Sequence, residues 1–143
     1  MAHYQVLSAE GDVSFIADAD MTTKQYKFVT VASAVGYVKM STGASNPAPL
    51  GILQNSPSQN QEARVRVFGF SKLQGRANGT CLIAWGRSIR SGSDANGEDA
   101  GGDLLAANAL WMDSAITDAG SVIGAAFLFP AGRGPSACGL AAS

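Results

Sequence analysis

Side chains that could perform acid, base or nucleophilic chemistry are few in this sequence and poorly placed for it. His3 is the only histidine and lies next to the N-terminus. A Ser-His-Asp or Cys-His site needs a histidine held between a nucleophile and an orienting group, which a terminal position does not favour. The pairs Asp18/Asp20 and Glu98/Asp99 lie in polar, turn-rich sequence, where both carboxylates are expected to be solvated, whereas general acid catalysis needs one desolvated. The sequence therefore predicts a protein that is not an enzyme.

Patterns for metal and phosphate binding are also weak. One loop carries several side chains with oxygen ligands: Asp94, Asn96, Glu98, Asp99 and Asp103. Gly97 is misplaced for a calcium-binding loop, and the closing glutamate of that motif is missing, so solvated turns are favoured over a cation site. The sequence has no GxxxxGK[ST] motif and no GxGxxG turn in a βα context. We expect no metal, no cofactor and no small-molecule substrate.

The two cysteines, Cys81 and Cys138, have no CxxC motif and no paired histidines beside them. A metal site made from these thiols is therefore not predicted. Two reduced thiols are the favoured interpretation, and a Cys81–Cys138 disulfide or a contact between subunits remains the alternative.

The charge balance and the apolar runs exclude two classes of partner. Ten Lys and Arg residues stand against eleven Asp and Glu residues, for a net charge of −1. Such a weak field gives no basis for nucleic-acid binding. The longest apolar run, residues 122–129, is far below the roughly 20 residues of a membrane span, and the N-terminus lacks the pattern of a signal peptide. We therefore expect no membrane partner and synthesis in a cytoplasm.

The elements that position these side chains are predicted to be strands. The chain has 143 residues, 46% hydrophobic, with 17 glycines and 8% aromatic residues. This composition favours many turns and short strands around one core. We predict a mainly β, small and compact domain of the β-barrel or β-sandwich type over residues 21–130. An extended N-terminal arm, residues 1–20, precedes it, and a Gly/Ala-rich tail, residues 131–143, follows it.

Five segments have the character of strands. Aromatic and β-branched residues predict strands at 26–31 and from residue 36, and compact apolar runs predict strands at 50–55 and 122–129. Residues 62–73 alternate most clearly and are predicted to form one continuous strand. The dipeptide Asn78-Gly79 predicts a turn that joins residues 64–77 and 80–91 as a hairpin or a wider β-connection.

The alternation in residues 62–73 defines one unusual face. Val65 and Val67 are predicted to point towards the core. The opposite face carries two cations and two rings: Arg64, Arg66, Phe68 and Phe70. A plain solvent face rarely has this composition, so we predict that these four residues pack against another chain or a partner sheet.

Several segments, taken in order, resemble the capsid decoration or head cement proteins of tailed bacteriophages. They are KQYKFVTV (24–31), PLGILQNSP (49–57), EARVRVFGFSKL (62–73), SGSDANG (91–97) and VIGAAFLF (122–129). The resemblance covers roughly residues 20 to 130. It implies a β-rich domain, without cofactor or catalysis, that binds the outer surface of an assembled head and stabilises contacts between major capsid proteins.

The resemblance also implies partners and contact residues. It implies binding to the major capsid protein and self-association, with a homotrimer favoured, and a location on the virion after synthesis in the host cytoplasm. The N-terminal arm is expected to reach the capsid by adding to a coat-protein strand. The arm residues expected to make contact with the capsid or another subunit are His3, Tyr4, Val6 and Phe15.

A second class of function remains open. Trp85 or Trp111, exposed beside acidic loop residues, would give a platform for sugars, as expected of a receptor- or carbohydrate-binding β-module on a virion surface. A small hydrolase is a third class, disfavoured because His3 is the only histidine.

Overall fold

The computed structural model describes residues 11–43, 48–77, 82–101, 107–116 and 120–129. Secondary structure in these ranges consists of strands and turns, and they include no helix long and apolar enough to cross a membrane. The strands are β1 (Asp12–Ala17), β2 (Phe28–Val31), β3 (Tyr37–Met40), β4 (Gly51–Leu53), β5 (Glu62–Arg66), β6 (Gly69–Arg76), β7 (Ser88–Ser91), β8 (Gly97–Asp99), β9 (Ala109–Trp111) and β10 (Ser121–Leu128). The predicted mainly β, barrel-like fold is confirmed.

The first five strands close into one barrel, in the order β1-β3-β2-β4-β5. The longest ladder joins β1 and β5, which run antiparallel with Asp12 opposite Arg66 and Ile16 opposite Glu62. β1 and β3 are parallel, and the other neighbours are antiparallel. Closure leaves none of these strands as an unpaired edge, so the barrel offers no template for strand addition.

The last five strands close into a second barrel, in the order β10-β6-β8-β7-β9. The antiparallel ladder between β6 and β10 is the longest in the described chain, with eight residue pairs from Gly69 opposite Leu128 to Arg76 opposite Ser121. β8 joins β6 through a single parallel pair, Gly75 with Gly97. The β6-β10 ribbon therefore forms the main wall of this barrel.

The two barrels share an apolar boundary. The first barrel is filled by aliphatic side chains and one methionine: Ala17, Met21, Val29, Val38, Leu53, Ala63 and Val65. Phe28 and Ile52 belong to strands of the first barrel, but their side chains join the core of the second, beside Leu73, Trp111 and Leu128. Backbone bonds also cross the boundary, with Phe28 N donating to Ala95 O at 2.9 Å and Gln74 N to Tyr26 O at 2.7 Å. The barrels therefore pack as one unit.

The prediction of one continuous strand over residues 62–73 is wrong. The chain leaves the first barrel after Arg66 and enters the second at Gly69, with Val67 and Phe68 between them. Gly69 has a φ of +97°, which is accessible to glycine at little cost and which breaks the extended run. The predicted alternation of burial persists across the break, with Val65 buried and Arg64, Phe68 and Phe70 exposed.

Two other predictions need correction. Residues 12–17, assigned to an extended arm, form β1 and pair with β3 and β5, because Val13 and Ala17 supply buried side chains to the first barrel. The predicted pairing of residues 64–77 with residues 80–91, as a hairpin or a wider β-connection, is not seen among the described strands, since the neighbours of β6 are β10 and β8 rather than β7. Asn78 and Gly79 themselves lie outside the described residues. Residues 1–10 and 131–143, like both cysteines, lie outside the described residues, so the predictions about them stay predictions.

Candidate interaction surface

The predicted arm contacts are mostly beyond the described ranges. Residues His3, Tyr4 and Val6 lie outside them. Phe15 lies in β1, is half-buried, and packs against the core of the first barrel. It lines a cleft on that barrel together with Val31. Phe15 therefore has a packing role, and its contact with a capsid or another subunit stays a prediction.

Arg66 is bound within its own chain. Its guanidinium faces the Asp12 carboxylate with two nitrogens: Nε donates to Oδ1, and Nη2 donates to Oδ2 at 2.9 Å. Its Nη1 donates to the backbone carbonyl of Phe70 at 2.8 Å. Arg66 thereby connects β1 of the first barrel with β6 of the second. Arg64 is exposed, with its Nη2 3.8 Å from Glu62 Oε1, so it contributes a charge to the surface.

Phe68, Phe70 and Phe127 form what we call the aromatic patch. Phe68 is 53% exposed and Phe70 is 54% exposed. Each packs edge-on against Phe127, at ring-centroid distances of 5.7 and 5.0 Å and interplanar angles of 71° and 60°. Phe127 was not singled out from the sequence, where residues 122–129 are predicted to be a buried strand. The register that places Phe127 opposite Phe70 creates the patch.

The outer face of the β6-β10 ribbon continues from the patch into a cleft that carries two charged side chains. This cleft is lined by Tyr26, Lys72, Asp113 and Ile123, among others. The Lys72 ammonium lies 5.6 Å from the centroid of the Tyr26 ring. The pKa of Asp113 is held below its ordinary value, because its carboxylate accepts the backbone N–H groups of Ser114 and Ala125.

A second apolar feature, the inter-barrel groove, adjoins the aromatic patch at Phe68. It has a volume of about 310 Å³. Its walls come from both barrels: Ala48, Pro49, Leu50, Gly51, Val67, Phe68, Asn108, Leu128 and Phe129. None of these side chains is ionisable. Asn108 is 8% exposed, and its Oδ1 is buried without a hydrogen-bond partner among the described residues. Asn108 was not singled out from the sequence, because no local pattern marks an unpaired acceptor.

The acidic residues of segment 94–99 are engaged by arginines. The prediction that Glu98 and Asp99 are solvated is wrong, because both lie in β8 and are only 4% exposed. Arg76 contacts Asp94 through Nη1 and Glu98 through Nη2, the latter at 2.8 Å. These contacts raise the pKa of Arg76, with the hydrogen bond to Glu98 as the main cause. Arg87 Nη1 lies 3.8 Å from the buried Asp99 Oδ2. In the part of the chain that the structure describes, no group of three His, Cys, Asp or Glu side chains could hold a metal ion.

The two tryptophans have different environments. Trp111 is fully buried in the core of the second barrel, and its indole Nε1 donates to the carbonyl of Ser114 at 2.8 Å. Trp85 lies in a turn and is 67% exposed. Only Trp85, of the two predicted sugar platforms, is accessible.

Comparison with known proteins gives a likeness at the level of fold. No protein-family model matches the sequence, and no curated protein matches it. The structure is similar to the crystal structure of the head fiber gp8.5 N base in bacteriophage phi29, with a TM-score of 0.59. The match covers 84% of this chain and 94% of that chain, at 9% sequence identity. The chain thus shares the fold of a phage head fiber base.

Proposed function

We propose that this chain is a structural protein of a tailed-bacteriophage virion, which binds the outer surface of the assembled head and stabilises contacts between major capsid proteins. Its role is structural rather than catalytic, and it requires no cofactor. The protein is made in the host cytoplasm and reaches the head after synthesis. Self-association, with a trimer favoured, is part of the proposal.

The observation that carries this proposal is the shared fold. The match spans most of this chain and nearly all of a head fiber base. A fold by itself is compatible with many functions, so the proposal also needs a surface suited to assembly. The ordered resemblance of segments 24–31, 49–57, 62–73, 91–97 and 122–129 to head cement proteins is independent support.

The aromatic patch is such a surface. Three phenylalanine rings meet across the β6-β10 ribbon, and two of them are more than half exposed. Exposed aromatic rings are unfavourable in water, and their burial in an interface with another chain is favourable. Aromatic side chains are also enriched among the residues that dominate binding energy. A partner chain that covers the patch, coat protein or a second copy, accounts for its composition.

The direct test is co-sedimentation of the purified protein with heads of the same phage assembled without it. Saturable binding with a fixed number of copies per head is the expected result. The same assay on a protein lacking residues 1–10 tests whether the N-terminal arm contributes. This deletion stops before Asp12, because β1 is part of the first barrel. Failure of the full-length protein to bind any head would overturn the proposal.

A matched pair of variants tests the patch. Phe70→Ser removes an exposed ring, and affinity for the heads is expected to fall about tenfold, the usual loss for an aromatic anchor. Val122→Ser is the control, because Val122 is 50% exposed on the same ribbon but lies at its opposite end. If the two variants bind heads with equal affinity, the aromatic patch is not part of the interface. The molar mass of each variant in solution reports separately on self-association.

Trp85 supports a second candidate, a receptor- or carbohydrate-binding module displayed on the virion. Its indole is the most exposed aromatic ring among the described residues, and such rings stack on sugars. Arg87, two residues further on, pairs with Asp99, so the neighbouring carboxylate is engaged. Glycan binding by the isolated protein, abolished by Trp85→Ala while binding to heads is kept, would favour this function.

A further inference from the structure

The outer face of the β6-β10 ribbon carries one cation and one anion that are not paired with each other. Lys72 and Asp113 both line the cleft on this face, and both are exposed. Within the described ranges, neither side chain forms an ion pair. Lys72 instead places its ammonium 5.6 Å from the centroid of the Tyr26 ring. Both charges are therefore accessible to a partner.

Strand register places the two charges on opposite sides of Ala125. The Cα of Lys72 pairs with that of Ala125 in the β6-β10 ladder. On the other side, the Ala125 N–H donates to Asp113 Oδ2 at 3.0 Å, and the Ala125 carbonyl accepts from Met112 N at 2.8 Å. Two strand spacings, about 10 Å, thus separate the backbones of Lys72 and Asp113. The face has a positive edge and a negative edge.

Apolar side chains lie on either side of this charged row. Phe70 and Phe127 of the aromatic patch precede it, and Ile123, which is 54% exposed, follows it. Burial of apolar area supplies most of the free energy of association, whereas an exposed ion pair adds little to affinity but selects the orientation. The face therefore combines the two components that an oriented interface needs.

Charge complementarity indicates the partner. A chain that covers this face must bring an anion to Lys72 and a cation to Asp113 at a matching separation. A second copy presents the same two charges, so the positive edge of one copy matches the negative edge of the next. In a closed symmetric assembly every copy makes the same contact, and each of the two charges obtains a partner.

We propose that the outer face of the β6-β10 ribbon packs against a second copy of this chain, and that Lys72 of one copy pairs with Asp113 of its neighbour. This interface rests on the self-association that is part of the proposed function, and it adds the face and the side chains that specify it. The pair selects one orientation, because an arrangement that brought the two lysines together would be opposed by their like charge.

The test is the association constant of the full-length chain, measured by sedimentation equilibrium in about 0.1 M salt, where distant surface charges are screened. Lys72→Glu places a carboxylate beside Asp113 of the neighbouring copy, and association is expected to weaken at least about tenfold. Lys39→Glu is the control, because Lys39 is an exposed cation on β3 of the first barrel and its substitution changes the net charge equally. Equal association constants of the two variants would overturn the proposal.

Asp113→Asn gives a second test, in which the sign of the effect depends on residue 72. In the wild-type background it removes an attraction and should weaken association by about two- to fivefold. In the Lys72→Glu background it removes a repulsion and should strengthen association. Its effect on the backbone hydrogen bonds of Asp113 is common to both backgrounds, so that effect cannot reverse the sign. Weakening in both backgrounds overturns the pair.

Co-sedimentation of the same variants with heads separates this interface from capsid binding. Wild-type protein that binds heads but stays monomeric at every concentration overturns the interface and leaves capsid binding standing. Protein that self-associates through this pair and binds no head supports the interface and refutes capsid binding. If Lys72→Glu keeps the wild-type association constant but loses affinity for heads, the face contacts coat protein, and a second copy as its occupant is refuted.

Discussion

Gly124 in β10 gives the sharpest test of the packing in the second barrel. The strand presents Gly124 to the buried face, opposite Leu73 of β6. A Cβ at this position would lie 2.5 Å from Cζ2 and 2.6 Å from Cη2 of Trp111, and 3.1 Å from the Cβ of Asp113. Gly124→Ala therefore places a methyl group too close to the ring of Trp111, which is fully buried.

The loss of stability expected for Gly124→Ala depends on how little the Trp111 ring can move. Carbon atoms in contact are normally about 3.5–4.0 Å apart, so the methyl and the ring must separate by about 1 Å. Trp111 is held by its hydrogen bond to the Ser114 carbonyl, and Gly75 lies close to another edge of the same ring. Overpacking in a core costs about 1–3 kcal/mol, and these restraints favour the upper half, about 2–3 kcal/mol. That loss lowers the thermal midpoint of a chain this long by about 6–12 °C.

The assay is urea unfolding followed by far-UV circular dichroism and by fluorescence of Trp111, in a Trp85→Phe background that removes the exposed fluorophore. Gly120→Ala is the matched control, four residues earlier, where an added Cβ has no neighbour within 4 Å. It should change the free energy of unfolding by less than about 1 kcal/mol, and in the stabilising direction, because alanine restricts the unfolded chain. If Gly124→Ala unfolds at the same urea concentration as Gly120→Ala, Trp111 does not pack against β10 in this way.

Variants at three further positions test other contacts. Arg66→Ala should lower the free energy of unfolding by about 2–3 kcal/mol, since the substitution leaves the buried Asp12 carboxylate unpaired. Arg66→Lys should recover only part of this free energy, because lysine cannot make a bidentate contact. Full recovery in urea titrations would argue against the bidentate contact. Because the pKa of Asp113 is lowered, its carboxylate stabilises the fold above about pH 4, and this stabilisation is lost as the pH falls through the lowered pKa. Asp113→Asn should therefore unfold at lower urea than wild type at pH 7, with a difference that shrinks towards about pH 3; a pH-independent difference contradicts this cause. Trp85→Ala should leave the free energy of unfolding within about 0.5 kcal/mol of wild type. Only the blue-shifted emission of buried Trp111 should remain, and red-shifted emission would contradict that burial.

The candidate surface was predictable only in part. Alternation in residues 62–73 identifies Phe68 and Phe70 as facing away from the core, and both are exposed. The same alternation gives Arg66 an outward direction but cannot reveal Asp12 as its partner, which depends on the register between β1 and β5. Phe127 and Asn108 have no local signal, because their roles arise from neighbours far away in the sequence.

What the sequence determined by itself is local. Alternating and β-branched segments and glycine-rich turns specify short strands, and β2, β3, β4 and β10 occur where these patterns place them. The tertiary structure decided which strands pair, that they close into two barrels, and that the run from residue 62 to residue 73 is divided between them. The physical reason is that strand pairing joins residues distant in sequence. An outward-facing phenylalanine such as Phe70 can face water or pack against another ring. The register of β6 with β10 places Phe70 beside Phe127.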